Sequence, residues 1–164
     1  SDSMANIGSI TIESGVTSIG DLAFYSLTIV EYIEIPNTVT KIGNYAFYGI
    51  DLISTINIQS SVISIGSGAF DDCEMLSSIT LPDGITTITE SMFYDCQQLT
   101  EVIFKGQITS IEPWAFFNCK NLRMFEIPEG VTYISECAFY QCERLQSIEL
   151  HKGITAIYVR AFYA

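Results

Sequence analysis

"LRMFEIPEGVTYISECAFYQCER", residues 122–144, sets apolar side chains at Leu122, Phe125, Ile127, Val131, Ile134, Ala138, Phe139 and Cys142. The preceding unit repeats the pattern with Leu99, Val102, Phe104, Ile108, Ile111, Ala115, Phe116 and Cys119. Phe24, Phe47, Phe70, Phe93, Phe116, Phe139 and Phe162 follow one another at 23 residues without an insertion, each after Ala except Phe93, which follows Met92. An undeviating period of this size is the mark of a solenoid, in which each coil buries its apolar face only against the next.

The local rhythm assigns the parts of a coil. Phe125-x-Ile127 alternates as a strand with one buried face does. Pro36, Pro82 and Pro128 follow that strand and help end it, because proline offers the ladder no N–H. "VTYI" forms a second short extended piece. "SECAFYQC" is too short for a free helix and is predicted to be one or two helical turns held by packing. The expected fold is an α/β solenoid of seven 23-residue coils, a rod about 30–35 Å long with strands about 4.7–4.9 Å apart.

The 164 residues suffice for one domain, and 48% hydrophobic content with 16% charged excludes disorder. No apolar run is long enough to span a membrane, so membrane insertion is not expected. The net charge of −12 makes nucleic acid an unsuitable partner. Residues 1–6, "SDSMAN", are too short and polar for a signal peptide and read as a leader or cloning remnant. The repeat continues into "AFYA", so residues 7–164 are expected to be one domain cut from a longer array.

"LSSITLPDGITTITESMFYDCQQ", residues 76–98, resembles the repeat of BspA-like (Treponema-type) leucine-rich-repeat proteins, L-x-x-I-x-L-P-x-x-V-T-x-I-x-x-x-A-F-x-x-C. The resemblance covers residues 7–164. It implies a curved, right-handed solenoid with a parallel sheet on one face and short helical or irregular turns opposite. It also implies a cell-surface or secreted protein that attaches to host matrix proteins or to other microbes. Gly15, Thr38, Ser61, Gly84, Gln107, Gly130 and Gly153 stand where commoner leucine-rich repeats carry Asn, so a continuous asparagine ladder is absent, as in the Treponema-type pattern.

Residues 23 apart become neighbours, so functional candidates are read by column. Cys73, Cys96, Cys119 and Cys142 share a place that Leu27 and Ile50 hold earlier, which makes them inward, free thiols. Cys137 lies off that column and is expected to be more exposed, with a disulfide between molecules as one outcome. No catalytic set, cofactor motif or metal site emerges: the single histidine, His151, has no nucleophile partner and reads as a solvated surface residue. Asp72, Asp95 and Asn118 stack in one column and read as a solvated acidic patch rather than a weak calcium site. A threonine column, Thr17 to Thr155, is broken only by Ile63 and reads as structural.

Two outward columns cover the sheet face. One runs Ser9, Tyr32, Thr55, Ser78, Glu101, Met124, Ser147; the other runs Thr11, Glu34, Asn57, Thr80, Ile103, Glu126, Glu149. Ile103 and Met124 are diagonal neighbours within a rim of Glu101, Arg123 and Glu126, the arrangement of a protein-binding patch. Candidate partner-binding residues are therefore Tyr32, Glu34, Glu101, Ile103, Arg123, Met124, Glu126 and Glu149. Tyr94, Phe117 and Tyr140 on the opposite side form a second candidate, an aromatic strip for a glycan or partner. The expected function is a non-enzymatic protein-binding or adhesion module. The alternatives are a spacer or scaffold, assembling by end-to-end stacking, and a carbohydrate-binding strip.

Overall fold

A computed structural model describes residues 8–164. The leader assigned to residues 1–6 and the domain's first residue lie outside that range. Fourteen short strands occur among the described residues, two to a turn: β1 (Ser9–Thr11) and β2 (Ser18–Ile19), β3 (Tyr32–Glu34) and β4 (Lys41–Ile42), β5 (Thr55–Asn57) and β6 (Ser64–Ile65), β7 (Ser78–Leu81) and β8 (Thr87–Ile88), β9 (Glu101–Phe104) and β10 (Ser110–Ile111), β11 (Met124–Glu126) and β12 (Tyr133–Ile134), β13 (Ser147–Glu149) and β14 (Ala156–Ile157). All pairings are parallel and in the 23-residue register: Ile33 lies opposite Ile10, Val102 opposite Ile79, and Ile148 opposite Phe125.

Two features of the expected architecture are corrected. The array makes about six turns, not seven coils, because seven successive strands bound only six steps of 23 residues; β1 to β13 spans about 29 Å at ordinary strand spacing. And no helix is present among the described residues, so the fold is a β-solenoid rather than α/β. The reason lies in the segment before and after each Phe. Tyr45, Ser91, Trp114 and Cys137 have φ of 52–57°, and Asp72, Asp95, Asn118 and Gln141 have φ of 56–58°. Two left-handed residues four apart rule out the helical ladder of bonds to the residue four back.

The backbone bonds go elsewhere. The N–H groups of Phe93, Asp95, Phe116 and Asn118 donate to Ala115, Phe117, Ala138 and Tyr140 in the following coil, at 2.7–2.9 Å. The N–H groups between them bond locally, as Tyr94 does to the Ser91 carbonyl at 3.1 Å. Each left-handed non-glycine residue costs about 1–2 kcal/mol, and a saturated set of bonds between coils offsets it.

The core is a set of ladders. The seven Phe rings stack with centroids 5.2–5.7 Å apart. The thiols of Cys73, Cys96, Cys119 and Cys142 donate to the carbonyls of Phe47, Phe70, Phe93 and Phe116, at 3.0–3.2 Å. Burial pushes the Cys73 and Cys142 thiols up to about 12, so these sulfurs are packing and hydrogen-bonding groups, not nucleophiles. Cys137 is buried too, at 6% exposure, contrary to expectation. Its left-handed backbone, bonded through its N–H to the Val159 carbonyl, draws it into the wall of the coil, out of reach of a second molecule.

The threonine column is structural as read: Thr40, Thr109 and Thr155 donate their hydroxyls to the carbonyls of Thr17, Thr86 and Thr132. A short Asx ladder replaces the missing asparagine column at another position. Asp21 accepts from the Asn44 N–H at 2.7 Å, and Asn44 accepts from the Ser67 N–H at 2.9 Å.

Candidate functional site

The odd-numbered strands form one face, but not one sheet. They run as β1–β3, then β5–β7–β9, then β11–β13. At the first interruption the inward residues stay covered: Ile33, Ile35, Ile56 and Ile58 are all at or below 7% exposure. The second interruption is different. Val102 and Phe104 on β9 occupy columns that are buried in the coils before and after, in Ile79, Leu81, Phe125 and Ile127, yet both are partly exposed. The lost ladder bond is common to both interruptions: among the described residues neither the Ser54 N–H to the Glu31 carbonyl nor the Arg123 N–H to the Thr100 carbonyl forms a bond, although Thr100 to Ser77 and Gln146 to Arg123 keep theirs at 2.9 Å. What sets the second apart is the exposure of Val102 and Phe104.

The opening coincides with a change of bulk. Phe104 and Phe125 stand in two columns that are otherwise aliphatic, Ile or Leu and, at Val102, Val. Phe125 is wedged edge-on between Phe116 and Phe139, 4.9 Å from each, and meets Phe104 at 5.9 Å. Side chains this large at successive levels mark the place where β9 and β11 do not pair. Here lies a groove of about 810 Å³ floored by Val102, Phe104 and Phe125, with Ile103 and Met124 on its lips and Glu101, Glu126 and Glu149 in its lining.

The predicted partner-binding residues therefore divide. Glu101, Ile103, Met124, Glu126 and Glu149 come together around the groove. Met124 is 73% exposed and Ile103 39%. Arg123 is exposed at the start of β11 but is not part of the lining. Tyr32 and Glu34 are exposed on β3, three strand steps or about 14 Å from β9, and are not joined to the patch. Val102, Phe104 and Phe125 were missed as site residues. The available signal was aromatic substitution in two aliphatic columns at adjacent coils.

Tyr94, Phe117 and Tyr140 do form one strip. Their centroids are 4.5 and 4.8 Å apart and their planes within 1° of parallel. The ring faces are spent on one another, and the stack continues to Tyr163 at 5.2 Å. What the strip offers to solvent is ring edges and hydroxyls, not the faces on which a sugar would stack.

Asp71 interrupts that strip between Tyr48 and Tyr94. Its carboxyl is pushed up to about 7, chiefly by burial and then by the charges of Asp72 and Asp95. The folded chain thus holds this proton more tightly than the unfolded one, so Asp71's contribution to stability falls as pH rises from about 4 to about 7. Asp71→Asn should raise the melting temperature, with a larger gain at pH 8 than at pH 5. Thermal unfolding of both chains at the two pH values checks it; an equal gain would reject the assignment.

The column Asp72, Asp95, Asn118 is explained by backbone: all three are left-handed, a conformation Asp and Asn tolerate, and Asn118 donates its amide to the Asp95 carboxylate. Among the described residues no group of three metal-ligating side chains converges. His151 is not a solvated surface residue. Its Nδ1 accepts from the Gly153 N–H at 3.1 Å and its Nε2 donates to the Pro128 carbonyl at 3.1 Å, which ties it between coils. Among the described residues no helix is long and apolar enough to cross a membrane.

Comparison with known proteins gives a consistent picture. A family model described as a BspA-type leucine-rich repeat region matches in six copies, over residues 2–123 and 115–164. None of the curated proteins matches. Among solved structures, a leucine-rich repeat protein from Eubacterium ventriosum is 30% identical with a TM-score of 0.85, over 95% of this chain and 42% of that one. One from Bacteroides ovatus is 23% identical with a TM-score of 0.74, over 92% of this chain and 44% of that one. A leucine-rich cell surface protein from Faecalibacterium prausnitzii is 24% identical with a TM-score of 0.59, over 86% of this chain and 59% of that one. The chain thus spans less than half the length of the first two.

Proposed function

This chain belongs to the BspA-type leucine-rich repeat family, and from that premise we propose that it is a non-enzymatic protein-recognition module. The observation that carries this is the pairing of Met124, 73% exposed, with Ile103 across the opening in the sheet, inside a ring of glutamates. Single exposed apolar side chains occur elsewhere on the chain, but these two meet across a groove, as residues at the centre of a protein interface do. The rigid coils hold them in fixed positions, so little ordering accompanies binding. The proposal extends to setting: a place at the cell surface is supported by the description of one structural relative as a cell surface protein, and attachment to host matrix or microbial surface proteins is the role proposed there.

The test is surface plasmon resonance against a panel of purified extracellular-matrix proteins, comparing the parent with Ile103→Asp/Met124→Asp. Both side chains are exposed, so the double variant should keep its melting temperature. It should lose about tenfold or more in affinity for whichever protein the parent binds. Unchanged affinity would remove the patch from the interface.

A further inference from the structure

We propose that the opening between β9 and β11 receives an extended segment of the partner, carrying an apolar side chain flanked by lysine or arginine. The inference rests on the reading of the sheet face as a protein-binding surface and names the chemistry of what it binds. Three independent observations converge on it.

The first is depth. A binding patch built only from surface side chains would end at Ile103 and Met124. Here the surface opens between them onto Val102, Phe104 and Phe125, residues of the inward columns. The groove's 810 Å³ lies within the range of about 300–1,000 Å³ typical of ligand sites. That is room for an aromatic or branched side chain together with its flanking backbone.

The second is the backbone at the margins. β9 pairs only with β7, and β11 only with β13. Each strand therefore turns one edge toward the groove, and such edges take up extended peptides through main-chain hydrogen bonds. Among the described residues no other interior boundary couples a missing pairing to uncovered inward side chains: between β3 and β5, β6 and β8, and β10 and β12 the pairing is also interrupted, but the inward residues there stay buried.

The third is charge. The lining contains Glu101, Glu126 and Glu149 and no lysine or arginine. The chain's net charge of −12 adds a long-range field of the same sign. An acidic or neutral apolar segment could fill the floor, but only a basic one also answers the rim.

The experiment uses a fluorescein-labelled peptide with phenylalanine between two pairs of lysines, and its twin with glutamates for lysines, read by fluorescence anisotropy. The basic peptide should bind saturably and more weakly as salt rises, and the acidic twin should bind at least about tenfold more weakly. Glu101→Gln/Glu126→Gln/Glu149→Gln, confined to exposed side chains, should cost the basic peptide about tenfold or more. Val102→Trp should block the floor and abolish binding.

No saturable binding by the parent up to about 1 mM, equal binding of the twin, or indifference to both the triple variant and Val102→Trp would overturn the proposal. So would a dimer of this chain that Val102→Trp dissociates, since the occupant would then be a second copy. Protein-partner capture lost in Ile103→Asp/Met124→Asp but kept in Val102→Trp would leave the surface reading standing and remove the groove. Capture unaffected by either would remove both.

Discussion

Phe116→Ala is expected to lower the stability of the array by about 3–5 kcal/mol, the usual cost of removing a buried aromatic ring. At about 2–4 °C per kcal/mol for a chain of this length, the melting temperature should fall by about 10 °C. Phe116 is fully buried and stacked on both sides, on Phe93 at 5.4 Å and Phe139 at 5.2 Å, and it supports the edge of Phe125. Its loss weakens two coil interfaces at once, and solenoid stability is carried mainly by such interfaces. Phe24→Ala and Phe162→Ala provide the contrast. Each ring has a single stacking neighbour and is partly exposed, so each should cost roughly half as much. Urea titrations followed by circular dichroism would measure all three. Equal losses at centre and ends would refute the account of the ladder.

Gly66→Ala should cost about 3 kcal/mol, through collision rather than cavity. A Cβ on Gly66 would lie 2.6 Å from the Asn44 nitrogen and 2.7 Å from the Gly43 carbonyl carbon, both backbone atoms of the preceding coil. Neither can swing aside. Relief would require the coils to part, against the bond from the Gly66 N–H to the Ile42 carbonyl at 2.9 Å. Gly20, in the same column, has nothing within 4 Å of its would-be Cβ, so Gly20→Ala should be neutral or stabilising by up to about 1 kcal/mol. Denaturant midpoints of the pair decide the matter, because propensity alone predicts the same sign for both. Further along, the column changes use: Thr89 and Ser135 hold it and donate their hydroxyls to the carbonyls of Gly66 and Ile111.

The 23-residue period was enough to place the inward columns from Ile33 to Phe139, though not the off-column Cys137, and the parallel register of each strand pair. That information is written in side-chain polarity, which a reader of sequence can see directly. Two things were hidden because they depend on quantities polarity does not encode. One is backbone handedness. "SECAFYQC" has the composition of a helical turn, and only Gly, Asp and Asn recurring at the column of Gly49, Asp72, Asp95 and Asn118 betray the left-handed residue that forbids it. The same recurrence was open to misreading as a set of ligands.

The other is volume. Phe104 and Phe125 are as apolar as the isoleucines they replace, so the apolar pattern is unbroken at the point where the sheet opens. Ile103, Met124 and the three glutamates were legible as exposed side chains on alternating positions. The floor beneath them was not, since it arises from a mismatch between neighbouring coils and belongs to neither alone.

Nearly every bond that joins one coil to the next spans 22, 23, 24 or 26 residues of chain, whichever coil is considered. This uniformity has a kinetic consequence. Bringing two coils together closes a loop of the same length each time, with the same entropic cost. Folding can therefore begin wherever two coils first meet and advance outward one coil at a time, with no late step that must join distant parts of the chain. A longer array of such coils would lengthen the number of steps without raising the height of any of them.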